Sequence, residues 1–424
     1  MQNSKGYLYL CCLIFAVLVS LGNNLSCLAQ ENIHLDSYLQ IAKARSPLLR
    51  EYRNAIASLS IDSEKTRAGY KPQVALVSTN MYAPSGKNFG YDQTVTNGGQ
   101  FSTVVAASKT FVSQKNLQTQ FQGQRLSTDS IRTLSAIAEQ ELKRSITAQY
   151  LTAYGDQQQL LALAEINSTL QDEEGLLKSL TQNNIYRQTD YLTFLVTQRQ
   201  QALQLRQMRI QYLNDYANLA NLCGIVDTTA MNKKLLLPEL RIAEFPAEMN
   251  SAFFARYKID SLQLDNTIRL INFSYRPKVS VFADAGYNAT QLHTFYQNFG
   301  VSAGFSVNLP IYDGGRRKLS ITQMQLSEDT RSGYHQFFQD QFAQQIAALH
   351  QQLNATENLA GDIDDQIKYS KGLIDVNAEL LKTGDVRIPD FVLAINNYLM
   401  AKTLRTQNQV SRLQIINQIN YWNR

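Results

Sequence analysis

The stretch Phe299–Arg317, FGVSAGFSVNLPIYDGGRR, decides how the rest of this 424-residue chain is read. Val301, Ala303, Phe305, Val307 and Leu309 alternate with Ser302, Gly304, Ser306 and Asn308. A period of two is the mark of a strand with one apolar and one wet face. Pro310 ends the ladder and Asp313-Gly314-Gly315 turns the chain. An almost unbroken helical pattern of roughly 70 residues follows, about 100 Å at the usual rise per residue. A strand feeding straight into so long a helix is unusual in a compact domain.

Working outward, the same sequence of patterns occurs earlier. Gln73 to about Tyr82 and Phe101 to Val112 read as strands, joined by a polar loop holding Pro84, Gly86 and Asn97-Gly98-Gly99. In the second of them Phe101, Thr103, Val105 and Ala107 share a side. Residues 115–181 form one predicted helix, with Ile131, Leu134, Ala138, Leu142, Ile146 and Tyr150 spaced by three or four. Its long Gln-rich remainder suits a coiled-coil wall. Asn183-Asn184 break it, and a second helix runs from about Thr189 to Leu222 with Gly224 as its C-terminal cap. Residues 33–67 carry a helical pattern, with Pro47 opening a second helix.

The two halves are a repeat. Tyr275-Arg276-Pro277 echoes Tyr70-Lys71-Pro72 at a displacement of 205 residues, while Phe305 falls on Val105, and Arg387 and Asp390 on Arg187 and Asp190, at 200. The difference places five extra residues in the first strand–strand loop. A constant offset along the helices means that neither long helix has gained or lost a turn. The expected division is a signal peptide at 1–29, a first repeat at 30–223, a linker at 224–247 and a second repeat at 248–424.

The first 29 residues read as an export signal: Lys5 in the basic region, an apolar run from Tyr7 to Leu21, and Cys27-Leu28-Ala29 before the cleavage point. Leu25-Ser26-Cys27 also resembles a lipobox with its leucine one place too close, so a lipidated Cys27 is the competing reading. Three of the four cysteines leave with this segment, and Cys223 alone cannot form an intrachain disulfide. No later segment is apolar for long enough to be a transmembrane helix. The formal net charge of +5 gives no footprint for nucleic acid.

Four strands per chain do not close a barrel, whereas a sheet in lipid must close. Three copies give twelve strands. The expected fold is therefore an α+β membrane protein: a trimeric 12-stranded β-barrel continued by a long α-helical barrel. Ser302, Ser306 and Asn308 would line water, and Tyr82, Phe101, Tyr287, Phe295 and Tyr296 would form interface girdles. A soluble antiparallel sheet has the same alternation, so periodicity alone leaves both readings open.

Pro310-Ile311-Tyr312-Asp313-Gly314-Gly315-Arg316 resembles the signature that opens the second long helix in the TolC-like outer-membrane efflux protein family. Ala42 to Pro47, the proline positions Pro72 and Pro277, Leu219 to Gly224, and Lys382-Thr383-Gly384 followed by Asp390 resemble further family motifs in the same order. The resemblance implies a homotrimeric, passive channel-tunnel in the outer membrane of a Gram-negative bacterium, extending into the periplasm. Its partners would be outer-membrane lipid, a periplasmic adaptor (membrane fusion) protein and an inner-membrane efflux pump or ABC exporter. It implies a gate at the helical tips. Asp390 matches a cation-binding ring position, with Leu393 where a second acid stands. Asp190, with Thr189 before it, matches a tie-forming pair whose expected tyrosine and arginine partners are replaced by Leu381 and Val386. Arg387, one residue on, offers a substitute, and Arg187 is its repeat counterpart. Asp390, after Pro389, also suits a plain helix N-terminus.

Other candidates are weaker. His34, His293, His335 and His350 lack metal-ligand spacing. Gly314-Gly315 opens a helix without the Lys-Ser/Thr of a phosphate loop. Asp362, Asp364 and Asp365 read as a solvated face or a second lumenal ring. No nucleophile–base arrangement is visible, so the chain is expected to be no enzyme and to need no cofactor or metal. The rival function is a soluble periplasmic coiled-coil scaffold or adhesin.

Overall fold

The computed structural model describes residues 34–84, 86, 88–90, 92, 98–226, 234–243 and 251–423. The expected signal peptide with its Cys27 alternative, and residues 227–233 and 244–247 of the inter-repeat linker, lie outside these residues. The elements run α1 (Leu35–Arg45), α2 (Pro47–Gly69), β1 (Gln73–Tyr82), β2 (Gly99–Phe111), α3 (Gln114–Gln182), α4 (Gln188–Leu222), α5 (Ala252–Ser274), β3 (Lys278–Ala289), a 3-10 turn (Leu292–Gln297), β4 (Phe299–Asn308), α6 (Arg316–Thr383) and α7 (Ile388–Trp422). Pro72 and Pro277 stand immediately before β1 and β3, and Pro310 two residues after β4, where no ladder N–H is needed. The two long helices have 69 and 68 residues, and the two return helices 35 each.

The chain divides into two compact units that do not follow the repeats, since each draws on both. One unit holds residues 47–141, 243–348 and 420–424. Its sheet is an antiparallel meander in the order β1-β2-β3-β4, with β1 and β4 as open edges. The register puts Leu76 opposite Val105, Val105 opposite Ala285, and Ala285 opposite Val301, so each of the four strands sets an apolar residue on one face. That face is uncovered: Leu76 is 71 % exposed, Val301 78 % and Phe305 74 %. The other face carries Ser302 bonded to Asp284 at 2.7 Å and Thr110 beside Ser280 at 3.0 Å. It is not purely polar, because Phe282 sits there over Gly304, where a Cβ would come 2.6 Å from the ring.

The helices of this unit follow the order of the strands. α2 meets α3 through Tyr70–Gln120 and Thr66–Gln124 hydrogen bonds. α3 meets α5 at Gly123, where a Cβ would lie 2.7 Å from Asn266 Nδ2. α5 meets α6 through Arg317–Asn272, Ser261–Glu328 and Arg331 to the Tyr257 carbonyl. Phe253, Phe254, Tyr257, Phe338, Phe342 and Trp422 form a half-buried ring cluster, with centroid spacings of 5.2–6.4 Å. Phe254–Phe338, Phe254–Phe342 and Phe342–Trp422 meet edge to face, and such pairs add about 1 kcal/mol each beyond area burial.

The second unit holds residues 1–46, 142–242 and 349–419. Here α1 packs on the middle of α3 and the end of α4 around Tyr38, Tyr150, Tyr212, Tyr216 and Leu219. Tyr150 donates to the Leu236 carbonyl and burial pushes its phenol up to about 12. Cys223 is buried in the same core, its thiol pushed up to about 11 by desolvation, which leaves it an inert packing group. A second core joins Leu170, Leu177, Phe194, Leu381, Ile388, Phe391 and Ile395.

Candidate functional site

Both helical hairpins end in the same way. At the end of α3, Asn184 takes φ 63°, the Ile185 amide donates to Leu180 O at 3.0 Å, and the Asn184 amide to Thr181 O. At the end of α6, Gly384 takes φ 83° and the Asp385 amide donates to Leu380 O at 3.0 Å. These are left-handed caps that satisfy the last carbonyls of each helix. Only glycine fits at 384, because a Cβ there would meet Ile185 Cγ2 at 2.8 Å.

That contact joins the two turns, and Tyr186 locks them. Its hydroxyl donates to Leu381 O at 3.0 Å and Val386 O at 2.9 Å, from a ring that is 9 % exposed. Burial, then the charge of Asp385, raises its pKa, so it stays a neutral donor. The two acceptors belong to the residues that replace the family's tyrosine and arginine in the sequence reading. The hydrogen bond between the two turns runs to main-chain carbonyls, which no side-chain motif reports.

Arg387 and Asp390 come together. Arg387 Nε lies 2.9 Å from Asp390 Oδ2 and Nη2 3.0 Å from Oδ1, a bidentate pair across the first turn of α7. This pair, first by hydrogen bond and then by charge, raises the pKa of Arg387, with Asp190 adding a smaller push. Asp190 occupies the equivalent first turn of α4, its amide bonded to Arg187 O at 3.1 Å. No ion pair joins Asp190 to Arg387 among the described residues. Arg187 lies exposed beside Tyr186 in a groove of about 880 Å³ shared with Lys178, Asn184 and Tyr191. Thr189 is exposed, and its carbonyl accepts from Thr193. Of the acidic run on α6, Asp364 pairs with Arg405 at 3.1 Å.

At the strand–helix turn, Gly314 and Gly315 take φ 65° and 84°, the region that favours glycine. Asp313 Oδ1 accepts from the Gly315 amide at 2.9 Å and Oδ2 from the Arg317 amide at 2.7 Å. The Arg317 amide, then the Tyr275 hydroxyl and the Gly315 amide, hold the Asp313 carboxyl below its usual value. The N–H groups that a phosphate would need are already taken, so the double glycine is a turn.

One further site carries no sequence signal. Asp156 on α3 faces Asp215 on α4, and burial first, then the hydrogen bond and charge of Asp215, push Asp156 up to about 7. Asp215 is held low: burial opposes this, but hydrogen bonds from Asp156, Gln149, Gln211 and Asn218 outweigh it. The pair shares a proton near neutral pH. Among the described residues, no group of His, Cys, Asp and Glu is arranged to hold a metal ion. No described helix is long and apolar enough to cross a membrane.

No protein-family model matches the sequence, and no curated protein does. The fold is similar to that of solved outer-membrane channels. The outer-membrane channel OprN aligns with a TM-score of 0.75 at 12 % identity, covering 92 % of this chain and 89 % of that one. The CmeC outer membrane channel of Campylobacter jejuni aligns with 0.76 at 12 %, covering 92 % and 85 %. The outer membrane protein VceC of Vibrio cholerae aligns with 0.74 at 13 %, covering 92 % and 96 %. At such identities the likeness is one of fold: a mostly helical chain with a four-stranded antiparallel sheet, spanning nearly the whole length of these channel subunits.

Proposed function

We propose that this protein is a passive export duct of the outer membrane, three copies of which close one barrel. The observation that carries the reading is the open sheet. It has two unpaired edges and an apolar face exposed at 71–78 % at Leu76, Phe305 and Val301. Neither edge nor face is stable in water, and lipid satisfies the face but not the edges. β1 and β4 run antiparallel, so β4 of one copy continues the meander onto β1 of the next. Three copies close at twelve strands, wide enough for a water-filled lumen. The helix order α2-α3-α5-α6 repeats the strand order and extends the same closure to the helices.

The fold shared with OprN, CmeC and VceC supports an efflux channel-tunnel. On the family resemblance, a periplasmic adaptor and an inner-membrane pump or ABC exporter complete the machine and supply its energy. The hairpin ends, with Tyr186, Arg387, Asp390 and Asp190, form its gate, and three-fold symmetry brings three Asp390 carboxylates to one axis.

The test is direct. Detergent-purified protein should run as a trimer and give discrete conductance steps in planar lipid bilayers. A water-soluble monomer without conductance refutes the reading and favours the soluble scaffold.

A further inference from the structure

A cleft of about 430 Å³ lies between the first turns of α3 and the last turns of α5. Lys115, Arg269 and Arg276 line it, with Asn272 and Phe273, and no acid does. Arg269 is paired with Asp265 at 2.8 Å. Lys115 and Arg276 have no acidic partner among the described residues, and the Arg276 guanidinium stacks 4.6 Å from the Phe273 ring. Asn272 Oδ1 accepts from Arg317 at 2.8 Å, which leaves its amide N–H groups as donors. Two free cations, an amide donor and an aromatic floor make a receptor for a compact anion with an apolar attachment.

The surroundings indicate which anion. Each of the four strand–helix junctions carries two or three Lys or Arg, within residues 66–72, 109–115, 275–278 and 309–318. Their one acid, Asp313, is committed to the Gly315 and Arg317 amides. The loops at the opposite ends of the strands, residues 83–98 and 290–298, hold one Lys and one Asp. The basic band thus sits at one end of the exposed apolar sheet face, and Lys109 marks the boundary with its ammonium 5.2 Å from the Phe111 ring. In a sheet that spans a bilayer, this is headgroup depth.

We propose that the cleft binds the phosphate headgroup of an anionic phospholipid, held by Lys115 and Arg276 with its acyl chains on the sheet face. The site rests on the reading that this sheet spans a membrane. Free phosphate shares the chemistry but gains nothing from the adjoining apolar face.

The experiment uses full-length protein in a neutral maltoside detergent, titrated with short-chain phosphatidylglycerol or phosphatidylcholine and followed by native mass spectrometry. Phosphatidylglycerol should bind at least about tenfold tighter, as expected for two basic groups at an anionic surface. Lys115→Gln with Arg276→Gln should abolish the preference and leave trimer mass and bilayer conductance unchanged. Arg276→Lys, which keeps the charge, should retain it. Equal binding of the two lipids, or a preference that survives the double substitution, overturns the site. Displacement of the lipid by millimolar inorganic phosphate overturns the lipid assignment in favour of a free anion. Loss of the preference in Arg276→Lys overturns the role given to charge. A wild type that conducts without lipid preference sinks the site alone, and one that prefers phosphatidylglycerol without conducting sinks the channel reading alone.

Discussion

Tyr186→Phe removes one oxygen and leaves the ring in the apolar cluster around Leu381, Ile388 and Phe391. The lost hydroxyl lies 3.0 Å from Leu381 O and 2.9 Å from Val386 O. One proton serves both acceptors, so the loss is that of a single shared hydrogen bond plus the desolvation of two partly stranded carbonyls, about 1–2 kcal/mol. That cost falls on the local opening of the two hairpin ends and corresponds to about 5–30-fold more frequent opening. Hydrogen exchange read by mass spectrometry on peptides spanning 380–388 measures it, because the Asp385 amide is bonded to Leu380 O within that turn. Peptides from the distant Tyr150–Tyr216 core should keep their rates. Exchange at 380–388 unchanged within about twofold would refute the claim that this hydroxyl locks the two turns. In bilayers, the same variant should raise resting conductance.

The remaining expectations concern charge. Asp156 takes up a proton on folding near neutral pH, because its folded pKa, about 7, lies above the ordinary 3.8. Between those values the folded chain binds more protons than the unfolded one, so stability is highest below 3.8 and is lost as pH rises through about 7. The full difference is worth about 4 kcal/mol, which half-burial and screening reduce to about 1–2. Asp215, held low, acts only at more acid pH. The melting temperature should therefore fall between pH 5 and pH 8, and Asp156→Asn should flatten the decline; an equal decline in the variant sinks the assignment. Asp313→Ala strips the acceptor from the Gly315 and Arg317 amides, and these should exchange about threefold to tenfold faster, with no change at the far end of α6. In single-channel recordings, Asp390→Asn should weaken block by trivalent cations and Arg387→Gln should strengthen it, since the bidentate arginine neutralises the carboxylate it holds. Identical block in both variants would remove Asp390 from the conduction path.

Strands and long helices were legible because their signals are local. Alternation fixed β4 to within one residue of its observed end, and Pro72, Pro277 and Pro310 marked where ladders start and stop. The caps at Gly224 and Gly384 were legible as motifs because a positive φ selects glycine. What escaped was pairing at a distance. Tyr186 reaches main-chain carbonyls 195 and 200 residues away, and a carbonyl has no residue type to betray it. Asp156 and Asp215 look like two ordinary surface acids until α3 and α4 are laid side by side. The sequence offers Arg387 as a substitute partner for Asp190, whereas the carboxylate it holds is its own neighbour one turn on.

The repeat explains why the remaining geometry is so regular. The offset is 205 residues at Pro72 and Pro277 but 200 from Val105 and Phe305 onward, so the five additional residues fall in the loop between β1 and β2. An insertion between two ladders disturbs the register of neither. Within α3 or α6 a single added residue would rotate everything beyond it by about 100°. It would carry Leu170 and Leu177, or Ile374 and Leu381, out of the core they share with α4 and α7. The strands tolerate a slip no better, since one residue would exchange the apolar face for the face of Ser302 and Asp284. Length is therefore free only where the chain leaves both the sheet and the helices. The helices have kept a common measure because each must deliver its turn, Asn184 or Gly384, to the same contact with the other.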